Sequence, residues 1–239
     1  AMAARRYMYQ YGEDRTRQAM AEIAISTRKW ANLNPMAYFY DTPATFDDYH
    51  NSRWVAWPFH LLDCCLVTDA GAAIVITTPE RAQDAKNGSV KILGAAEGHD
   101  HSMISQMPDL TSAFGRNTGP QALSMAGVSH SDLDLAMIYD SFTYTVLVTL
   151  ENLGFCGPGE SPDFVRSQRT APGGEFPLNT NGGGLSYTHP GMYGIFTVVE
   201  AARQLRGQAG ERQLDKCNLA LAHGTGGLLS STGTVVLGT

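Results

Sequence analysis

Long apolar runs are missing from this chain. None approaches the roughly 20 residues that a membrane-spanning helix needs, so a helical membrane protein is not expected. The opening AMAARRYMYQYG carries Arg5 and Arg6 but no apolar segment of the secretory kind. Positive charge is also short. The 17 Lys and Arg stand against 23 Asp and Glu, a formal net charge of −6, which argues against nucleic acid as a main partner. Cysteine is scarce: Cys64, Cys65, Cys156 and Cys217 are the four, and no two have Cys-x-x-Cys spacing. Neither a disulfide framework nor a zinc site is expected, and a reducing, cytoplasmic setting fits best.

What is present is an ordinary apolar fraction, 43% of 239 residues, enough for one large domain or two small ones. Short apolar strands alternate with amphipathic helices, the pattern of a layered α/β protein. The first 34 residues read as two helices split at Gly12. An aromatic, aperiodic stretch follows to Pro58, with a short helix near Phe46–Asn51. Ala72–Thr77 reads as a buried strand, with a helix starting at Pro79–Glu80. VKILGAAEG is another strand, and TSAFGRNTGPQALSMAG a helix closed by Gly127. Leu135–Tyr139, Leu219–His223 and Thr234–Leu237 are expected as strands of one mixed sheet. FTYTVLVTLENLGF is a helix, residues 162–168 a helical turn, and Met192–Gln204 a helix buried on that sheet.

Three segments place reactive groups beside glycine at strand ends, where α/β proteins gather ligands. IYDSF offers Tyr139 and Asp140. NTNGGGLSYTHPGMYG offers Tyr187 and His189 after three glycines. AHGTGG offers His223. Gly183, Gly184, Gly226 and Gly227 would let backbone N–H groups approach an oxyanion. One residue apart in extended chain, Tyr187 and His189 would share a face. A helix starting at His189 would keep its imidazole neutral. The four groups Tyr139, Tyr187, His189 and His223 are expected to line one pocket. His50, His60, His99, His101 and His130 read as surface or packing residues. Cys64 and Cys65 read as inert packing in or beside a buried strand, with Cys156 and Cys217 away from the pocket.

These segments resemble those of the thiolase superfamily. NTNGGGLSYTHPGMYG is similar to its N-x-x-G-G…G-H-P-x-G-x-x-G motif, with Thr188 in place of the glycine before His189. IYDSFTYTVLVTLENLGF resembles the H-D-C-F…E-x-L-G segment of the sterol-carrier-protein thiolase and lipid-transfer branch. LLDCCLVTDAGAAIVI resembles its D-x-C…D-G-A-A strand. HGTGG stands where thiolases carry C-x-G, with His223 and no cysteine. The resemblance implies the layered αβαβα thiolase fold. Residues 1–110 would be a remnant of the N-terminal domain, most of that half being absent, and 111–239 a near-complete C-terminal domain.

The missing cysteines and the tyrosines resemble the branch of steroid side-chain-cleaving aldolases. That resemblance implies retro-aldol cleavage of a β-hydroxyacyl-CoA steroid to a ketosteroid and a short acyl-CoA such as propionyl-CoA. Tyr187 or Tyr139 would take the hydroxyl proton, and His189 would face the thioester oxygen. Asp140 would orient a neighbour, and His223 would line the pocket. It also implies no cofactor beyond the coenzyme A thioester substrate, a small DUF35 partner built from a zinc ribbon and an OB-fold, and a thiolase-type homodimer. Two alternatives stay open: an acyl-CoA thiolase of lipid or sterol degradation, and a non-catalytic thiolase-like subunit.

Overall fold

The computed structural model describes residues 1–227 and 229–239. Two helices open the chain, α1 (Met2–Tyr11) and α2 (Glu13–Ala31), with Gly12 at φ 99° breaking them apart. Then come α3 (Phe46–Asn51), a small hairpin of β1 (Trp54–Ala56) and β2 (Phe59–His60), and α4 (Pro79–Ala82). Next come β3 (Lys91–His99), α5 (Gly115–Ala126), β4 (Leu135–Ile138) and α6 (Thr143–Leu153). A short α7 (Ser161–Phe164), α8 (Gly194–Leu205), β5 (Leu219–Gly226) and β6 (Ser231–Gly238) complete it.

The main sheet runs in the order β3-β6-β5-β4. β4 and β5 are parallel, and the other two pairings are antiparallel, so the sheet is mixed as expected. Alternation along the strands sorts its side chains onto two faces. Leu135, Met137, Ala220, Ala222 and Leu237 pack with Ala201 and Leu205 of α8. Ala136, Ile138, Leu221 and Val236 face Ala122 and Leu123 of α5 and Val146, Leu147 and Leu150 of α6. Every residue of β4 is therefore buried, which explains its uninterrupted apolar run. α2 forms a further layer behind α6, with Met20, Ile23 and Ile25 fully or almost fully buried.

Three features stand beside the expectations. First, β3 lies before residue 111, the expected domain division, and pairs along the length of β6. Without β3, β6 would present an unpaired edge. α5 packs tightly on β3: a Cβ at Gly94 would lie 2.1 Å from the Ala122 carbonyl. Second, Ala72–Thr77 is no buried strand. It has no regular secondary structure and no ladder partner, with Val75 91% and Ile76 75% exposed. Its β-branched run carries strand propensity, but among the described residues no strand lies beside it to bond. Third, α8 begins at Gly194, two residues later than expected.

Candidate active site

The site forms where β4 ends, beneath the first turn of α8. Tyr139 follows the last residue of β4. Its N–H continues the ladder by donating to the His223 carbonyl at 3.0 Å. Its side chain shares the α8 face with Leu135 and Met137. There its ring stands edge-on to Tyr193 (5.5 Å, 88°) and close to His189. Tyr139 Oη and His189 Nε2 are 2.9 Å apart. The same phenol oxygen accepts the backbone N–H of Tyr193 at 3.3 Å. Tyr193 is the residue before α8, so the helix start is directed at the phenol. Burial pushes the Tyr139 phenol up, and the Tyr193 N–H partly offsets that.

Asp140 crowds the last two of the three glycines, and Ala31 of α2 the first, where a Cβ at Gly182 would lie 2.7 Å from the Ala31 Cβ. The fully buried Asp140 carboxylate accepts N–H groups from Gly184 at 2.6 Å and Leu185 at 3.3 Å. These lie in a single π-helical turn, Gly183–Tyr187, a shape that recurs at functional sites. Gly183 sits at φ 60°, and a Cβ there would come within 2.0 Å of an Asp140 oxygen. Glycine is demanded by the carboxylate's approach. The expected oxyanion role of Gly183 and Gly184 is thereby corrected. Gly183 N–H already donates to Asn181 Oδ1 at 2.9 Å, and Gly184 N–H to Asp140. Burial pushes the Asp140 carboxyl up to about 7, against the pull of its N–H donors.

Tyr187 ends this turn, and its ring meets Phe196 edge-on at 6.0 Å. Burial pushes its phenol up, opposed by the charge of Arg203. Thr188 is extended, and His189 follows it against the same aromatic group, parallel to Tyr193 at 6.3 Å. His189 lies ahead of the helix, so the helix-start argument for its neutrality is corrected: burial is what lowers its pKa. The N-terminal region clamps this loop. Tyr38 N–H donates to the Tyr187 carbonyl and Phe39 N–H to that of Ser186. Arg28 Nε reaches Ser186 Oγ at 3.0 Å. Thr68 Oγ1 accepts the His189 N–H at 2.9 Å and bonds Thr188 Oγ1 at 2.8 Å.

His223 does not join the pocket. It has the parity of Leu221 on β5, and its ring turns to the α5 face, where Nδ1 pairs with Thr234 Oγ1 at 2.8 Å. Its Cε1 lies 3.4 Å from where a Gly115 Cβ would stand. Desolvation drives its pKa down to about 3. The strand-end position suggested a site residue, but strand alternation sends it the other way. Gly226 and Gly227 sit at the tip of the β5–β6 hairpin. Gly226 helps floor an open cavity of about 540 Å³ with Glu97, His99 and Ser231, and Gly227 borders a different hollow with Phe142 and Leu229.

The cysteines lie apart from this geometry, save one. Cys65 follows Cys64 after a 3-10 turn, not in a strand, and its N–H donates to the Ser141 carbonyl. Burial, with the nearby Asp140 charge, pushes its thiol up to about 11. Cys64 is likewise pushed to about 11, and Cys156 and Cys217 to about 12. Among the described residues no group of His, Cys, Asp and Glu is arranged to hold a metal ion.

Residues 96–239 match the thiolase C-terminal domain-like family. The chain belongs to the thiolase superfamily. Among its relatives, this thiolase-superfamily chain is 40% identical over 231 residues to a steroid side-chain-cleaving aldolase of Thermomonospora curvata, covering 95% of this chain and 58% of that protein. It is 41% identical to the 17-hydroxy-3-oxo-4-pregnene-20-carboxyl-CoA lyase of Mycobacterium tuberculosis, over 87% of this chain and 54% of that one. A solved structure of an Ltp2-ChsH2(DUF35) aldolase matches it with a TM-score of 0.92 at 36% identity, over 100% of this chain and 62% of the other. The thiolase-superfamily chain thus spans a little over half the length of the curated relatives it matches.

Tyr139, Tyr187 and His189 are the expected residues that the fold brings together. Tyr193, Asn181 and Thr68 were not anticipated. Tyr193 lies inside the quoted glycine motif, and its place at a helix start was a usable signal. Thr68 lies 121 residues from His189 and carried none.

Proposed function

We propose that this chain is the catalytic C-terminal portion of a carbon–carbon lyase that cleaves a steroid β-hydroxyacyl-CoA by a retro-aldol reaction. The 2.9 Å contact between Tyr139 Oη and His189 Nε2 carries the proposal. In neutral imidazole one ring nitrogen accepts and the other donates. With Nε2 accepting from the phenol, Tyr139 passes its own proton to His189 as it takes one from the substrate's tertiary hydroxyl. The C–C bond then breaks, its electrons moving onto the thioester as an enolate and leaving a ketone. Tyr187, across the aromatic group, is the candidate donor to the enolate carbon. One proton leaves the hydroxyl and one enters the carbon; His189 then releases its extra proton to solvent and Tyr187 regains one from solvent, so protons balance, both groups return to their starting state and no acyl-enzyme forms. Asp140 acts by holding the turn that carries Tyr187.

The thiolase alternative needs a thiolate, and burial holds all four thiols well above neutrality. His223, at the position of the thiolase cysteine motif, faces away from the pair. The same proposal includes a coenzyme A thioester as substrate with no further cofactor, a zinc-ribbon and OB-fold partner of the DUF35 type, dimerisation, and a cytoplasmic setting. The name of the solved Ltp2-ChsH2(DUF35) aldolase supports the partner. The test is to incubate the full-length protein, with and without such a partner, with 17-hydroxy-3-oxo-4-pregnene-20-carboxyl-CoA. Ketosteroid and propionyl-CoA in equal amounts are expected. Product formation that requires free coenzyme A and a 3-ketoacyl-CoA instead would return the chain to the thiolases.

A further inference from the structure

We infer that Tyr193 is a positioning residue for the Tyr139–His189 pair, and that the amide oxygen of Asn181 is what fixes it there. This rests on the reading of that pair as the proton-moving groups. Tyr193 is completely buried and touches the pair in three ways. Its backbone N–H meets the Tyr139 phenol oxygen at 3.3 Å. Its ring stands edge-on to Tyr139 and lies nearly parallel to His189, at 17°. Its hydroxyl donates to Asn181 Oδ1 at 2.9 Å.

Asn181 Oδ1 accepts a second bond at 2.9 Å, from the N–H of Gly183. Its backbone carbonyl is held in turn by Asn34 Nδ2 at 2.8 Å. One oxygen therefore ties the start of α8 to the turn that carries Tyr187 and leads to His189. A ring anchored only by packing could tilt in its plane. An N–H already at 3.3 Å has little length to give before it ceases to support the phenol. The titratable groups around Tyr139 come from four places, with Phe196 of α8 completing the packing. His189 and Tyr187 come from the loop, Tyr193 from the start of α8, Asp140 from the next residue, and Cys65 from the segment beyond β2. Of these, Tyr193 alone supplies a backbone donor to the phenol oxygen.

Tyr193→Phe removes the hydroxyl and leaves ring and backbone in place. With the full-length protein and its steroid acyl-CoA substrate, kcat is expected to fall about tenfold, the effect of one hydrogen bond, with KM changed less than about twofold. The acid limb of kcat against pH reports the pair's capacity to accept a proton. It is expected to move up by about half a unit, because the phenol oxygen holds its proton more tightly once its N–H donor drifts. The position of that limb does not depend on how much of a preparation is folded, so a poorly folding variant still answers. In a Tyr139→Phe background, Tyr193→Phe should lower kcat no further. Unchanged kcat, a rise in KM alone, or a lower kcat with an unmoved pH profile would each overturn the inference. If Tyr139→Phe itself keeps full activity, the fault lies with the proton-pair reading instead.

Discussion

Tyr139 donates its backbone N–H to the carbonyl of His223, yet the two side chains leave the sheet on opposite faces. The phenol reaches His189 under α8. The imidazole is sealed between α5 and β6, where Nδ1 is linked through Thr234 to Thr118 Oγ1 and Nε2 is buried without a hydrogen-bond partner. Adjacent ladder positions thus divide chemistry from packing, and substitutions at the two should part company.

Tyr139→Phe should lower kcat at least about 100-fold, the usual scale for losing an acid–base group. The melting temperature should stay within a few degrees, because the ring contacts survive. Steady-state kinetics alongside thermal unfolding checks this. A parallel loss of both would make the hydroxyl a structural bond.

His223→Gln should do the reverse. The folded fraction should keep kcat within about twofold, while the protein loses stability at neutral pH. Its pH dependence has a definite sign. His223 is held at about 3 in the fold against an ordinary value of 6.5. Its contribution is therefore present above 6.5 and is lost as pH falls towards 3. Urea unfolding from neutral to acid pH should show a shallower acid loss in the variant than in the wild type.

Asp140 titrates in the opposite sense. Its folded carboxyl sits at about 7, above the ordinary 3.8, so the stability it lends is greatest below 3.8 and disappears as pH rises through 7. Asp140→Asn removes that loss. Relative to the wild type, the variant should gain stability as pH rises from 3.8 to about 7 and hold that gain above it. Its activity should still fall about tenfold, since Gly184 and Leu185 donate to different carboxylate oxygens, and an amide puts an NH2 group, itself a donor, in the place of one of them. A wild-type-to-variant difference that is flat with pH would mean that Asp140 titrates as an ordinary carboxylate.

The strand and helix order was legible because burial on two faces leaves a plain mark, as in the all-apolar β4 and in α6 closed by Gly154 at φ 87°. That Tyr187 and His189 would lie in one loop against one aromatic group was legible because both lie in one short glycine motif. What failed were inferences that needed a third dimension. A strand-end histidine and a strand-end tyrosine look alike until register assigns each a face. Ala72–Thr77 has strand chemistry without a neighbouring strand. Gly183 and Gly184 looked like free donors, because nothing in sequence reveals that a carboxylate 43 and 44 residues earlier, Asp140, crowds the one and takes the N–H of the other.

The cysteines give a further test. With thiols pushed to about 11 or 12, alkylation near neutral pH should be slow and should leave cleavage intact. Cys64→Ala and Cys65→Ala should cost about 1 kcal/mol of stability each and keep their activity. Cys65 is the stricter case because it lies beside Asp140. Inactivation by an alkylating reagent, blocked by acyl-CoA, would point to a thiol in the reaction.

The clamp from the N-terminal region bears on how this protein can be cut for study. A fragment trimmed to residues 96–239, the extent of the family match, would lose half of β3 and all of α2. It would also lose Arg28 from Ser186, Trp30 Nε1 from the Thr170 carbonyl, and Tyr38 from the Tyr187 carbonyl. Such a piece would keep its motif and forfeit the scaffold that aims it. The smallest unit worth expressing on its own therefore has to start upstream of α2.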